Sequence, residues 1–179
     1  RMLNANQQMI RQSSVFLTEQ PPVLVDWLPW NHTFGGSHNV GIALYNGGTL
    51  YIDDGKPTPS GMAETLRNLR EISPTIYFNV PKGLEEIAMA MDSDTLLRNT
   101  LFKHCKAIMF AGAALAQPVW DKLHAHAEAA VGERVLFRHV GEVREELADR
   151  RHVFGHGAAQ MLADAALERF RALPAELPL

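Results

Sequence analysis

Residues 23–38, VLVDWLPWNHTFGGSH, change character halfway along, and that change decides the fold. VLVDW is a short, nearly continuous apolar run, too short for a helix and suited to a strand covered on both faces. LPWNHTFGGSH then brings Pro29, Asn31 and the Gly35-Gly36 pair, which predicts a loop leaving the strand. A short helix around Asn39 to Tyr45 follows, closed by the NGG of residues 46–48.

The same strand, loop and helix alternation continues outward. TLYID (49–53) reads as a second strand, DDGKP turns, and Thr58-Pro59 opens a helix with threonine as cap and proline in its first position. Met62, Leu66, Leu69 and Ile72 fall on one face of that helix. TIYFNV (75–80) is β-branched and aromatic, a third strand. Two short helices broken near Asp92-Ser93 lead to a fourth strand, AIMFAG (107–112). A helix over 118–131 leads to a fifth, RVLFRHV (134–140). Upstream, residues 2–18 suit one amphipathic helix that Pro21-Pro22 ends. Strands separated by helices pair in parallel through right-handed crossovers, so the expected class is α/β, a mostly parallel sheet with helices on both faces. In such sheets the ligand crevice lies at the carboxyl ends of the strands. Here those ends carry LPWNHTFGG, DDGKP, VPKG and AGAAL.

The chain has 179 residues, 46% hydrophobic and 21% charged, enough apolar material for one core. A net charge of −3 gives no bulk attraction to nucleic acid or to an anionic membrane. No apolar run reaches the roughly 20 residues that cross a bilayer. The single cysteine, Cys105, has no internal disulfide partner and no secretory leader is recognisable, so a cytoplasmic location is expected. From Gly141 to Leu179 the basic residues are all arginine, among many Ala, Leu and Glu. Residues 141–179 are therefore expected to form a divergent helical tail beyond a domain of residues 1–140.

Several side chains invite a chemical reading, and each has a plainer one. His32, between Asn31 and a glycine pair, reads either as a loop histidine or as an imidazole facing a ligand. Trp27 and Trp30 suit core packing better than the wall of a pocket for a planar molecule. Asp53 and Asp54 read as a solvated turn, since successive strand residues point to opposite faces and do not converge on a cation. DGK is followed by Pro57 and lacks the glycine spacing of a phosphate loop. AGAAL (111–115) either lets a flat group lie on the backbone or packs a helix closely on a strand. His152 and His156 are spaced i, i+4 but flanked by Gly155 and Gly157, with no glutamate in the metalloprotease position. Cys105, beside His104 and Lys106, reads as a buried or half-buried spectator.

Taken in order, DWLPWNHTFGG, LYNGGTLYIDDGKP, PTIYFNVPKG and FAGAALAQPVWDKL resemble feruloyl-CoA synthase and related acyl-CoA synthetases of the adenylate-forming, AMP-binding superfamily. The resemblance covers roughly residues 1 to 137. It implies that residues 1–140 are part of the large amino-terminal AMP-binding domain. It also implies an ATP-dependent acid-CoA ligase that makes an acyl-adenylate and then an acyl-CoA thioester from a hydroxycinnamate such as ferulate. ATP, Mg²⁺ and CoA are expected for the complete enzyme. On this resemblance His32, Gly35, Gly36, Val80, Pro81 and Lys82 border the acyl group, and Gly112, Ala113 and Ala114 receive adenine. No catalytic or metal-binding residue is implied, because the glycine-to-Thr-Glu segment expected after Phe137 is not matched by RHVGEVREELADRR. The phosphate-binding loop expected before Arg1 is not matched either, so the chain reads as an internal fragment with no activity of its own. Two other functions are weighed against this one. The first is a non-catalytic α/β binding module, and the second is a Mg²⁺-dependent phosphoryl transferase using Asp53 and Asp54.

Overall fold

The computed structural model of the protein describes residues 1–140. The five strands among them are β1 (Val23–Asp26), β2 (Thr49–Ile52), β3 (Ile76–Asn79), β4 (Ala107–Phe110) and β5 (Leu136–His139). β1 pairs with β2, β3 with β4, and β4 with β5, every pair parallel. Each connection contains helix, which carries the chain back to the starting edge of the sheet as parallel pairing demands. The α/β class expected from the alternation is the one observed.

The two ladders, β1-β2 and β3-β4-β5, meet where β1 lies beside β3. Thr75 joins them. Its N–H donates to the Val23 carbonyl at 2.9 Å, and the Val23 N–H donates to the Thr75 hydroxyl oxygen at 2.8 Å. The Thr75 carbonyl accepts from the Lys106 N–H at 2.8 Å. One buried residue therefore ties β1 to the entries of β3 and β4, with a hydroxyl standing where a ladder would have a carbonyl.

Strand side chains alternate between two cores, because successive residues of a strand point to opposite faces. The aligned row Ile76, Ala107, Leu136 goes to one cluster and the next row, Tyr77, Ile108, Phe137, to the other. Tyr77, Ile108 and Phe137 pack under α4 (Pro59–Glu71), α5 (Pro81–Ala90), α6 (Thr95–Lys103) and α7 (Gln117–Val131), through Leu69, Leu84, Leu101 and Leu123 among others. Ile76, Phe78 and Met109 pack with Leu24, Phe34 and Ile42 on the opposite face. Caps fix the helix ends. Thr58 Oγ1 accepts the Gly61 N–H at 3.2 Å at the start of α4, and Asp94 Oδ1 accepts the Leu97 N–H at 2.9 Å at the start of α6. Gly132, at φ +75°, ends α7.

Two helical expectations are corrected. The helix expected over residues 2–18 is two helices, α1 (Met2–Ser13) and α2 (Phe16–Glu19). The buried residue of α1 is polar, Gln7. Its Nε2 donates to the Ser37 carbonyl at 2.7 Å, so α1 is anchored by that hydrogen bond and by the half-buried Ile10, whereas Met2, Leu3 and Met9, expected on an apolar face, are exposed. The helix expected from Asn39 starts earlier, as a π-helical segment over Phe34–Val40 that runs into α3 (Gly41–Tyr45). The wide turn leaves carbonyls for an outside donor, and Gln7 fills that role. The tail expected over 141–179, with His152 and His156, lies outside the described residues. No helix among the described residues is long and apolar enough to cross a membrane.

Thr75→Val keeps the shape of the side chain and leaves the half-buried Val23 N–H without its acceptor. The expected loss is about 1–3 kcal/mol of stability, seen as a lower urea midpoint, while Thr75→Ser stays near the native value. An unchanged midpoint for the valine variant would show that the seam does not depend on the hydroxyl.

Candidate functional site

β1, β3 and β4 run parallel and end on one edge, and a cavity of about 480 Å³ opens there. The loop after β1 contributes Trp27, Leu28, Pro29, Asn31, His32 and Phe34. Pro57 comes from the turn before α4, Val80 from the end of β3, and Ala111 and Gly112 from the end of β4. The lining is mainly apolar, with polar atoms from Asn31 and His32 at an exposed rim. Its size suits a small organic ligand.

His32 is held by its own loop. Its N–H donates to the Pro29 carbonyl at 3.1 Å, and its carbonyl accepts from the Gly36 N–H at 2.8 Å. The ring nitrogen Nδ1 accepts the Phe34 N–H at 3.1 Å. An acceptor at Nδ1 places the proton of the neutral ring on Nε2. His32 therefore offers the cavity a hydrogen-bond donor.

Gly35 and Gly36 act inside the loop. A Cβ on Gly35 would lie 2.4 Å from the Pro29 carbonyl oxygen, and one on Gly36 would lie 2.1 Å from that of Trp30. Neither glycine lines the cavity; both let the π-helical segment close against the loop it follows. Val80 lines the cavity, whereas Pro81 begins α5 and Lys82 turns to solvent. The Lys82 ammonium pairs with Glu85 and Glu86, each at 2.9 Å, and these partners, Glu86 foremost, hold its pKa above the ordinary value. Gly112 has φ +98° and open space where a Cβ would stand. Ala113 and Ala114 are exposed beside it, so close helix packing is not what keeps this segment small.

The other candidates resolve by burial. Trp27 is half-buried, walling the cavity and packing on the core below, while Trp30 is 55% exposed. Asp53, expected in a solvated turn, is buried: Oδ2 accepts the Thr65 hydroxyl at 2.5 Å and Oδ1 accepts Asn68 Nδ2 at 3.1 Å. Asp54 is exposed. Among the described residues no group of three or more His, Cys, Asp or Glu side chains could hold a metal ion. Asp53 spends both oxygens on its neighbours, so these residues do not fit a Mg²⁺ seat. Cys105 is buried and its thiol is pushed up to about 12 by burial, which makes it unreactive.

Three contributors have no local signature. Asp26 and Asn39 are buried beneath the loop, and His38 stacks edge-on against Phe78 at 5.1 Å. Asp26 and Asn39 meet across thirteen positions and His38 meets Phe78 forty positions on, so neither periodicity nor a motif marks these contacts.

A family model described as AMP-binding enzyme matches residues 2–134. Comparison with curated protein sequences gives no match. Among solved structures, the chain is similar to a malonyl-CoA ligase in a ternary product complex with methylmalonyl-CoA and AMP bound. The identity is 24% and the TM-score 0.51, over 73% of this chain and 28% of that one. It is also similar to ATP-bound MatB from Rhodopseudomonas palustris, at 19% identity and TM-score 0.52, over 77% of this chain and 24% of that one. An ATP-bound RpMatB-BxBclM chimera matches at 20% identity and TM-score 0.52, over 77% and 24%. These are likenesses of fold. The chain spans about a quarter of the length of the structures it matches.

Burial holds the His38 imidazole below its ordinary value of 6.5, with the Asn39 hydrogen bond opposing this in part. The folded state favours the neutral ring more than the unfolded chain does. His38 therefore contributes stability that is complete above pH 6.5 and lost as the pH falls through its folded value. The urea midpoint is expected to drop between about pH 7.5 and about pH 5.5, and His38→Gln should flatten that drop. An equal slope in the variant would contradict this assignment.

Proposed function

Because the chain belongs to the AMP-binding enzyme family, we propose that it supplies the acyl pocket and the adenine platform of an ATP-dependent acid-CoA ligase. In that reaction a carboxylate oxygen attacks the α-phosphorus of ATP, the bond to the bridging oxygen breaks, and pyrophosphate leaves. The thiolate of CoA then attacks the acyl carbon and AMP leaves. The observation that carries this reading is the apolar cavity at the carboxyl ends of β1, β3 and β4, with the Nε2–H of His32 at its rim.

In this reading His32 donates to an oxygen of the acyl carboxylate, which holds that group where the α-phosphorus is presented. Trp27, Phe34 and Val80 flank the acyl body. Gly112, with Ala113 and Ala114 exposed beside it, gives adenine a surface free of side chains that would lift it away. Gly35 and Gly36 serve through the loop, and Pro81 and Lys82 through the start of α5. When bound, Mg²⁺ would offset the charge of the phosphates; none of the described residues is assigned to it or to CoA.

The acyl group we favour is planar and apolar, a hydroxycinnamate such as ferulate. Among the described residues that line the cavity there is no lysine or arginine, so a second carboxylate, as in malonate, would meet no counter-charge from them. An aromatic ring instead meets Trp27, Phe34 and Val80.

Calorimetry with a non-hydrolysable hydroxycinnamoyl-adenylate analogue tests this. Saturable binding is expected, weakened about tenfold or more by His32→Ala, the equivalent of one hydrogen bond. A malonyl-adenylate analogue should bind less tightly. No binding to the folded chain would overturn the ligase reading, and tighter binding of the malonyl analogue would overturn the acyl class.

A further inference from the structure

The loop that carries His32 leaves β1 at Trp27 and returns to the body through the π-helical segment. Both of its ends are fastened to one carboxylate beneath the cavity. Asp26, the last residue of β1, is 2% exposed. Its Oδ1 accepts the Leu28 N–H at 3.0 Å and its Oδ2 accepts Asn39 Nδ2 at 3.0 Å. Asn39 is fully buried, and its own Oδ1 lies 2.8 Å from His38 Nδ1.

A carboxylate is an expensive group to bury at that position. Burial pushes the Asp26 pKa up, and the carboxylate of Asp53 adds to the push, while the bonds from Leu28 and Asn39 work against it. An apolar side chain of similar size would pack there without that cost, but it could not hold a backbone N–H on one side and an amide on the other. Among the described residues, the His32 hydrogen bonds run to its own loop, to Pro29, Phe34 and Gly36. Where the imidazole stands relative to the sheet therefore depends on how the whole loop is fastened.

We propose that Asp26 and Asn39 are positioning residues that clamp the base of this loop and thereby hold the His32 ring at the cavity rim with its proton on Nε2. The functional part of this inference rests on the reading of His32 as the donor to the acyl carboxylate; the structural part does not. Gln7, which holds the Ser37 carbonyl, and the stacking of Phe34 and His38 on Phe78 steady the returning limb. The clamp is the connection that ties both limbs to the end of β1.

The test uses the whole chain, with the nitrogen chemical shifts of the His32 ring read at one fixed pH in every variant. The native chain should show the Nε2–H pattern. Asp26→Ala and Asn39→Ala should each move it toward the averaged pattern of a free imidazole and weaken the hydroxycinnamoyl-adenylate analogue about tenfold. In the double variant Asp26→Asn/Asn39→Asp, donor and acceptor trade places. The amide now at position 26 can accept from the Leu28 N–H and donate to the carboxylate now at position 39, so both signals should return toward native. Arg70→Ala, which breaks the bond to Asp94 at the start of α6, should leave the His32 shifts alone. The clamp is overturned if folded single alanine variants keep native His32 shifts, if Arg70→Ala moves them as far, or if the exchanged pair fails to restore them. Should the alanine variants not fold, the exchanged pair decides alone. Clamp-dependent His32 shifts in a chain that binds no analogue would leave the clamp standing and sink the ligase reading.

Discussion

The parallel register across Thr75 is the constraint on which the rest of the described structure depends. A single hydroxyl takes the Val23 N–H that would otherwise be unpaired where the two ladders meet. Its main chain bonds to β1 on one side and to the entry of β4 on the other. With those starts aligned, strands of equal length end together, and Asp26, Asn79 and Phe110 fall on one edge. The connections that leave that edge have to turn, and the cavity is the space they turn around.

The turning is done by buried polar side chains at strand ends. Asp26 takes the N–H of Leu28, and Asn79 Oδ1 takes the N–H of Val80 at 2.8 Å. Asn79 also donates to the Tyr77 hydroxyl at 2.9 Å, and a Cβ on Gly83 would lie 2.2 Å from its side-chain oxygen, so α5 approaches the end of β3 only through a glycine. Burial holds the Tyr77 hydroxyl firmly protonated, which keeps it available as a partner. Just past β2, Asp53 binds Thr65 and Asn68 of α4 in the same manner. Such groups are tolerable inside a core only when their hydrogen bonds are met. Meeting them fixes the direction in which each loop departs.

Much of the fold was legible from local chemistry. The β-branched and aromatic run at 76–79, the Thr58-Pro59 start and the glycine at 132 all act through their immediate neighbours. The cavity lies at the carboxyl edge that a parallel sheet implies, and His32, Val80 and Gly112, which the resemblance points to, are among the residues that line it. What stayed hidden depends on distant partners. Gln7 looks like a solvent residue of an amphipathic helix until Ser37, thirty positions away, is seen to need a donor. Gly35-Gly36 reads as part of a loop, yet here it allows a wide helical turn to close on backbone carbonyls. Asp53 reads as a turn residue because nothing nearby shows that Thr65 and Asn68 will bury it.

The most direct test of the site is hydrogen exchange of the chain with and without a non-hydrolysable hydroxycinnamoyl-adenylate analogue. Ligand seated in the cavity should slow exchange in the loop over residues 28–36 and in the segment over 111–115, while amides of α6, on the covered face of the sheet, stay as they were. Protection confined to other segments, or none at saturating ligand, would contradict the placement of the acyl-adenylate at the carboxyl edge of this sheet.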